Sequence, residues 1–131
     1  MKKKEQQLLI DKDDYEMINA YLRRSLSTEN TFSRREAEYL KAEILKAKIV
    51  NKDELPDDVV RLNSTVTIED EKEKKQMQVK VVTPDKANIK QRMISIFAPI
   101  GTALIGFRKG QSVSWMMPAG RKVFTILEVV N

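Results

Sequence analysis

One stretch of this sequence decides the fold of its second half: Ile94-Ser-Ile-Phe-Ala-Pro-Ile-Gly-Thr-Ala-Leu-Ile-Gly106. Before Pro99 the pattern is β-branched and aromatic, which is typical of a buried strand. Proline lacks a backbone donor, and the first turn of a helix can spare one. The stretch therefore predicts a strand that passes directly into a short helix beginning at Pro99.

Apolar residues continue at helical spacing through Ile100, Ala103, Leu104 and Phe107. Two glycines interrupt them. We expect Gly101 to let another backbone segment come close, and we expect Gly106 to end the helix in the left-handed conformation.

The first fifty residues show helical periodicity instead. Two apolar stripes follow a three-four spacing, and they predict an antiparallel helical hairpin with helices over residues 13–26 and 33–50. The stripes are Tyr15, Ile18, Leu22 and Leu26 on the first helix and Ala37, Leu40, Ile44 and Ala47 on the second. A protruding arm and a hairpin packed against the rest of the protein are both compatible with this pattern.

The polar run 27–32 predicts the turn of the hairpin, with Ser27, Thr28, Glu29 and Asn30 at its tip. Ser33, followed three residues later by Glu36, is typical of a capping box at the start of the second helix. The helical pattern breaks at Leu55-Pro56. We therefore divide the chain into a hairpin, residues 1–53, and a second domain, residues 54–131.

The second domain has the alternation of β-strands. Strands are predicted over 64–68, 77–83, 93–97, 112–117 and 122–130, with a charged hairpin loop over 70–75 and a turn at Pro118-Ala-Gly120. Together with the helix after Pro99, they predict an α+β fold in which one helix crosses an antiparallel sheet of about five strands.

Composition excludes several function classes. The chain of 131 residues has no cysteine and no histidine, so thiolate metal sites, zinc enzymes and histidine-based triads are not expected. The 24 basic and 19 acidic residues are interleaved, which indicates a solvated surface rather than a nucleic-acid arm. No apolar run approaches the ~20 residues of a membrane span, and we expect a cytoplasmic protein without a cofactor.

A family resemblance is carried by the residues of the second domain. The run 95–106, then Gly110-Gln-Ser-Val113 and Pro118-Ala-Gly120, resembles the C-terminal domain of the Gre transcription elongation factors. With Leu55-Pro-Asp-Asp-Val-Val60 and the short hairpin, the chain is most similar to the Rnk-type members. The resemblance is strong after residue 54 and loose before it.

The resemblance implies an FKBP-like domain that docks on core RNA polymerase at the entrance of the secondary channel, with a coiled coil pointing inward. It implies a contact at Phe97, Ala98, Pro99 and Ile100, in a turn where Gre proteins have serine and this chain has Ala98. Any contact with nucleic acid in the transcription complex would be indirect. We expect a monomer that is not an enzyme.

The hairpin departs from the Gre pattern. In Gre factors a long coiled coil ends in paired carboxylates that help to hold a second Mg²⁺ at the polymerase active centre, and two oxygen ligands suit that ion. Here the arm is short and Glu29 is the one acid of its tip. We therefore expect polymerase docking without stimulation of transcript cleavage.

Two other functions remain open on sequence alone. An FKBP-like domain can be a peptidyl-prolyl isomerase, although the aromatic residues of the second domain are few for a lined pocket. Alternatively, the apolar stripes of the hairpin could pair two chains in a structural interaction module.

Overall fold

The computed structural model describes residues 8–26, 31–117 and 120–131, without the side chains of residues 31–33 and 115–117. The predicted tip residues Ser27 to Asn30, and Pro118 with Ala119, lie outside the described residues. The elements in chain order are β1 (Leu9–Asp11), α1 (Lys12–Leu26), α2 (Thr31–Ile44), β2 (Lys48–Val50), β3 (Thr65–Asp70), β4 (Gln76–Val82), β5 (Met93–Ser95), α3 (Pro99–Leu104), β6 (Ser112–Met117) and β7 (Gly120–Val130).

The helical hairpin forms from the predicted apolar stripes. Ile18 and Leu22 of α1 and Ala37, Leu40 and Ile44 of α2 are buried. The remaining stripe residues, Tyr15, Leu26 and Ala47, are partly buried against the same cluster. The three-four spacing therefore predicted correctly which faces of the two helices are apolar and packed.

The predicted second helix, residues 33–50, is wrong at both ends. It begins two residues earlier, at Thr31, which places Ser33 inside the first turn. The side chain of Ser33, on which the predicted capping box depends, lies outside the described part of the structure. It ends at Ile44, where Lys46 and Ala47 donate to carbonyls three residues back and tighten the last turn.

Residues 48–50 form a strand instead of continuing the helix. Strand β2 pairs in parallel with β1, Ile49 opposite Ile10, and this pairing joins the two ends of the hairpin at its base. β-branched residues suit such a ladder better than a helix. Strand β1 was not predicted.

The main sheet has the strand order β5-β4-β3-β7-β6. Strands β3, β4, β6 and β7 pair antiparallel, and the inward residues Val66, Ile68, Phe124 and Ile126 are buried. The expectation of an antiparallel sheet fails at β5, which runs parallel to β4. The chain between them makes two short 3₁₀ turns, at 84–86 and 89–91, and returns to pair Met93 with Lys80, in the second half of β4, rather than reversing in a hairpin.

Helix α3 begins at Pro99, as the sequence predicts, and ends at Leu104, two residues before the predicted end at Gly106. Its residue Gly101 faces the backbone of the preceding turn: a Cβ atom there would overlap the carbonyl oxygen of Ser95 and lie 3.0 Å from the carbonyl carbon. Gly106 has a φ angle of +86°, the left-handed conformation that ends the helix.

The hairpin packs against the sheet domain in a single hydrophobic cluster. The cluster includes Ile18 and Leu40 of the hairpin, Ile96 and Leu104 around α3, and Ile68 of the sheet. Of the two arrangements compatible with the sequence, the described parts of the hairpin therefore adopt the packed one. Within the described residues, no helix has the length and apolarity that a bilayer crossing requires.

The loop between β3 and β4 is held by one carboxylate. Asp70 Oδ1 accepts hydrogen bonds from the backbone of Lys72 at 2.8 Å and Glu73 at 3.0 Å, and its Oδ2 accepts one from Lys122 Nζ at 2.9 Å. The hydrogen bond from the Glu73 backbone, followed by the one from the Lys122 side chain, lowers the pKa of Asp70 to about 2. The charged form of Asp70 is therefore stabilised by the fold.

We predict that Gly101→Ala lowers the free energy of unfolding by about 2 kcal/mol, because the added methyl group must push the Ser95 backbone away from α3. Chemical denaturation of both proteins measures the difference. Gly110→Ala is the matched control. Gly110 has a φ angle of +90° but open space around it, so the substitution lowers the free energy of unfolding by only about 1 kcal/mol, through backbone strain. Equal losses in the two variants would contradict the close approach at Gly101.

We also predict that Asp70→Asn weakens the acid sensitivity of the fold. A carboxyl group whose pKa is lowered by folding stabilises the protein above its ordinary pKa of 3.8, and this stabilisation is lost as the pH falls toward about 2. Denaturation curves between pH 4 and pH 2 should show a smaller decline in stability for Asp70→Asn than for the original protein. Asp53→Asn, at an exposed position, should leave the decline unchanged; a similar effect from both variants would refute the assignment.

Candidate functional site

The turn between β5 and α3 is fixed by local hydrogen bonds. Phe97 N–H donates to Ser95 Oγ at 3.0 Å, and Ala98 N–H donates to the Ser95 carbonyl at 3.0 Å. Thr102 is fully buried and donates its hydroxyl to the Ile96 carbonyl at 2.6 Å. These bonds hold the backbone of residues 95–98 against α3.

The four predicted contact residues occupy this turn. Pro99 is exposed, whereas Phe97, Ala98 and Ile100 are half-buried. Phe97 and Ile100 also pack against the hydrophobic cluster, so they have a structural role in addition to any contact with a partner. Ala98 precedes the helix in extended geometry with no side chain to cap it, since a hydroxyl or amide is what a capping residue supplies.

A groove of about 440 Å³ adjoins the turn on the side of the hairpin. Residues of the β5–α3 turn, of both hairpin helices and of the connection after β4 line it: Ser95, Phe97, Tyr21, Arg24, Ser25, Glu36, Pro84 and Asp85. The turn and the groove therefore form one continuous surface that spans the hairpin and the sheet domain.

Polar contacts cross this groove. Tyr21 donates its hydroxyl to Asp85 Oδ1 at 2.6 Å, and this hydrogen bond raises the pKa of Tyr21. The pKa of Asp85 is lowered, first by a hydrogen bond from the Thr83 side chain and next by that from Tyr21. Arg24 lies over the Tyr21 ring, 5.5 Å from its centroid, within the range of a cation–π contact.

A second set of contacts fixes the base of the hairpin on the sheet domain. Asp11 caps α1 by accepting from the Asp14 backbone at 2.8 Å, and its other oxygen lies 3.4 Å from Arg61 Nη2. Asp14 accepts from the Leu62 backbone at 3.0 Å, and burial raises its pKa. These carboxylates at the start of α1 serve as a cap and as anchors.

No metal centre is evident within the part of the chain that the structure describes. Groups of three or more acidic side chains with the geometry to hold a metal ion are absent there. Glu29, the acid of the predicted tip, lies outside the described residues, so the structure gives no account of it.

The sequence did not reveal the groove. Its lining residues come from α1, α2, the connection after β4 and the β5–α3 turn, and Tyr21 and Asp85 are 64 positions apart. The sequence pattern assigned Glu36 to a capping box with Ser33, an explanation that involves only neighbouring residues. Its half-buried position beside the groove depends on how the hairpin packs, and no signal in the sequence reports that packing.

Known proteins share both the sequence and the fold of this chain. The family model described as "Transcription elongation factor, GreA/GreB, C-term" matches residues 55–131. Transcription elongation factor GreA of Azorhizobium caulinodans is 36% identical over 90 residues, which are 69% of this chain and 57% of that protein. The chain thus matches just over half the length of that relative.

Two further relatives are matched over a larger share of their own length. The regulator of nucleoside diphosphate kinase of Escherichia coli K12 is 36% identical over 95 residues, 72% of this chain and 68% of that protein. The structure of a transcription elongation factor GreA/GreB from Nitrosomonas europaea superimposes with a TM-score of 0.77 at 32% identity, covering 95% of this chain and all of that one. The predicted α+β fold and the predicted resemblance are both confirmed, and the chain belongs to the GreA/GreB family of transcription elongation factors.

Proposed function

We propose that this chain is a transcription elongation regulator that binds core RNA polymerase at the entrance of the secondary channel and does not stimulate transcript cleavage. In this proposal residues 54–131 form the docking domain and residues 1–53 form a short hairpin module. The chain itself carries out no chemistry and needs no cofactor.

The observation that carries the docking proposal is the presentation of Pro99. The turn before α3 is pinned by the Ser95 hydroxyl and carbonyl, and by the buried Thr102 hydroxyl. A partner that contacts Ala98 and Pro99 therefore meets a surface that is already ordered, so binding costs little conformational entropy. Membership of the GreA/GreB family makes RNA polymerase the partner to test first.

The length of the hairpin and the charge of its tip both weigh against cleavage stimulation. Helix α1 has 15 residues and α2 has 14, which correspond to about 22 Å at 1.5 Å per residue. Residues 27–30 supply one carboxylate, Glu29, where a second Mg²⁺ ion needs several oxygen ligands. A short hairpin with a single acid at its tip is poorly suited to deliver a metal ion to a buried active centre.

We predict that the chain binds bacterial core RNA polymerase and that Pro99→Glu weakens binding at least about tenfold, because a carboxylate would have to be desolvated in the contact. Interferometry with immobilised polymerase measures the dissociation constants of the original protein and of Pro99→Glu. Ala42→Glu, at an exposed position of α2, is the control and should bind normally. No binding by the original protein at about 10 μM would refute the proposal. Equal binding by the original protein and by Pro99→Glu would show that Pro99 is not part of the contact.

We further predict that saturating amounts of the chain leave the rate of RNA cleavage in backtracked elongation complexes unchanged. The same amounts should slow the cleavage that an added GreA protein stimulates, because both proteins would occupy one docking position. Gel analysis of end-labelled RNA measures both rates. Stimulation by the chain alone would show that a single carboxylate suffices, and would overturn this part of the proposal.

A further inference from the structure

The groove beside Phe97 contains a carboxylate, that of Glu36, for which the described part of the chain supplies no partner. Glu36 is half-buried in its lining, and within the described residues it makes neither a hydrogen bond nor an ion pair. Burial raises the pKa of this group. A partly desolvated carboxylate with no bound cation is unfavourable in the free protein, and a cationic group placed beside it would relieve that cost.

The other charged groups of the groove are already engaged. Asp85 accepts the Tyr21 hydroxyl, and Arg24 lies over the Tyr21 ring. Counting charges, the groove lining has two carboxylates and one guanidinium, so it favours a positive occupant. A nucleotide or an acidic peptide would bring its negative charge toward Glu36 and Asp85.

The apolar part of the lining suits a long basic side chain. Phe97 and Pro84 provide faces against which the methylene stem of arginine or lysine can pack, while its charged end reaches Glu36. Arginine fits better than lysine, since its planar guanidinium both stacks on aromatic rings and pairs with carboxylates through two hydrogen bonds.

We propose that this groove binds an arginine side chain of RNA polymerase, with Glu36 as its ionic partner and Phe97 as its stacking face. The inference rests on the proposed function for the identity of the partner. It extends that function because the recognised surface then includes the hairpin, through α2, as well as the sheet domain. Docking would depend on the hairpin being packed as observed.

The first test compares Glu36→Gln with Glu38→Gln in binding to core RNA polymerase. Both variants remove one carboxylate from α2, but Glu38 is exposed and does not line the groove. We expect the dissociation constant of Glu36→Gln to rise about tenfold, as for a charge pair in an interface, and that of Glu38→Gln to stay within about twofold. The affinity of Glu36→Gln should also depend less on salt than that of the original protein. Thermal unfolding of both variants checks that the fold is retained.

The second test uses the free protein and a small probe. A blocked glycine–arginine–glycine tripeptide, titrated to about 10 mM, should shift the NMR signals of Glu36, Phe97 and Tyr21, whereas the analogue with neutral citrulline should not. Shifts without polymerase binding would mean that the groove recognises arginine and that the proposed function is wrong. No shifts with the arginine peptide, or binding to polymerase that Glu36→Gln leaves unchanged or strengthens, would overturn the inference.

Discussion

The backbone contact between Gly101 and Ser95 is the constraint on which the arrangement of the molecule depends. Helix α3 can lie against the end of β5 only because position 101 has no side chain. In that position α3 contacts β5 and β6 of the sheet and α2 of the hairpin. A six-residue helix thus connects the two parts of the chain. The missing side chain at position 101 permits its close approach, and the Thr102 hydrogen bond and the apolar cluster hold it there.

The base of the hairpin is held by polar contacts of a different kind. Leu9 N–H donates to the Gly106 carbonyl at 3.1 Å, which ties β1 to the end of α3. Asp11 is buried and faces Arg61, and removing either partner would leave an uncompensated charge. The apolar cluster supplies most of the burial, while these contacts select one orientation of the hairpin among those that would also bury its apolar face.

The sequence predicts what is local and periodic. The helix beginning at Pro99, the close approach at Gly101, the apolar faces of the hairpin and the loop at Asp70 all follow from residues that are near one another in the chain. The parallel pairings of β1 with β2 and of β4 with β5 do not, because pairing partners depend on the path of the chain between them. The groove is missed for the same reason: Glu36 and Phe97 line one groove only when the hairpin packs on the sheet domain.

The parallel pairing of β1 with β2 brings the incoming and outgoing segments of the hairpin side by side. Both helices are therefore joined at their base, and the register there is set by the strand pairing. Adding or removing whole helical turns at the far end would change the span of the hairpin while leaving its attachment untouched. The span of the hairpin and its attachment at the base are thus set by different residues, so a change in one need not disturb the other.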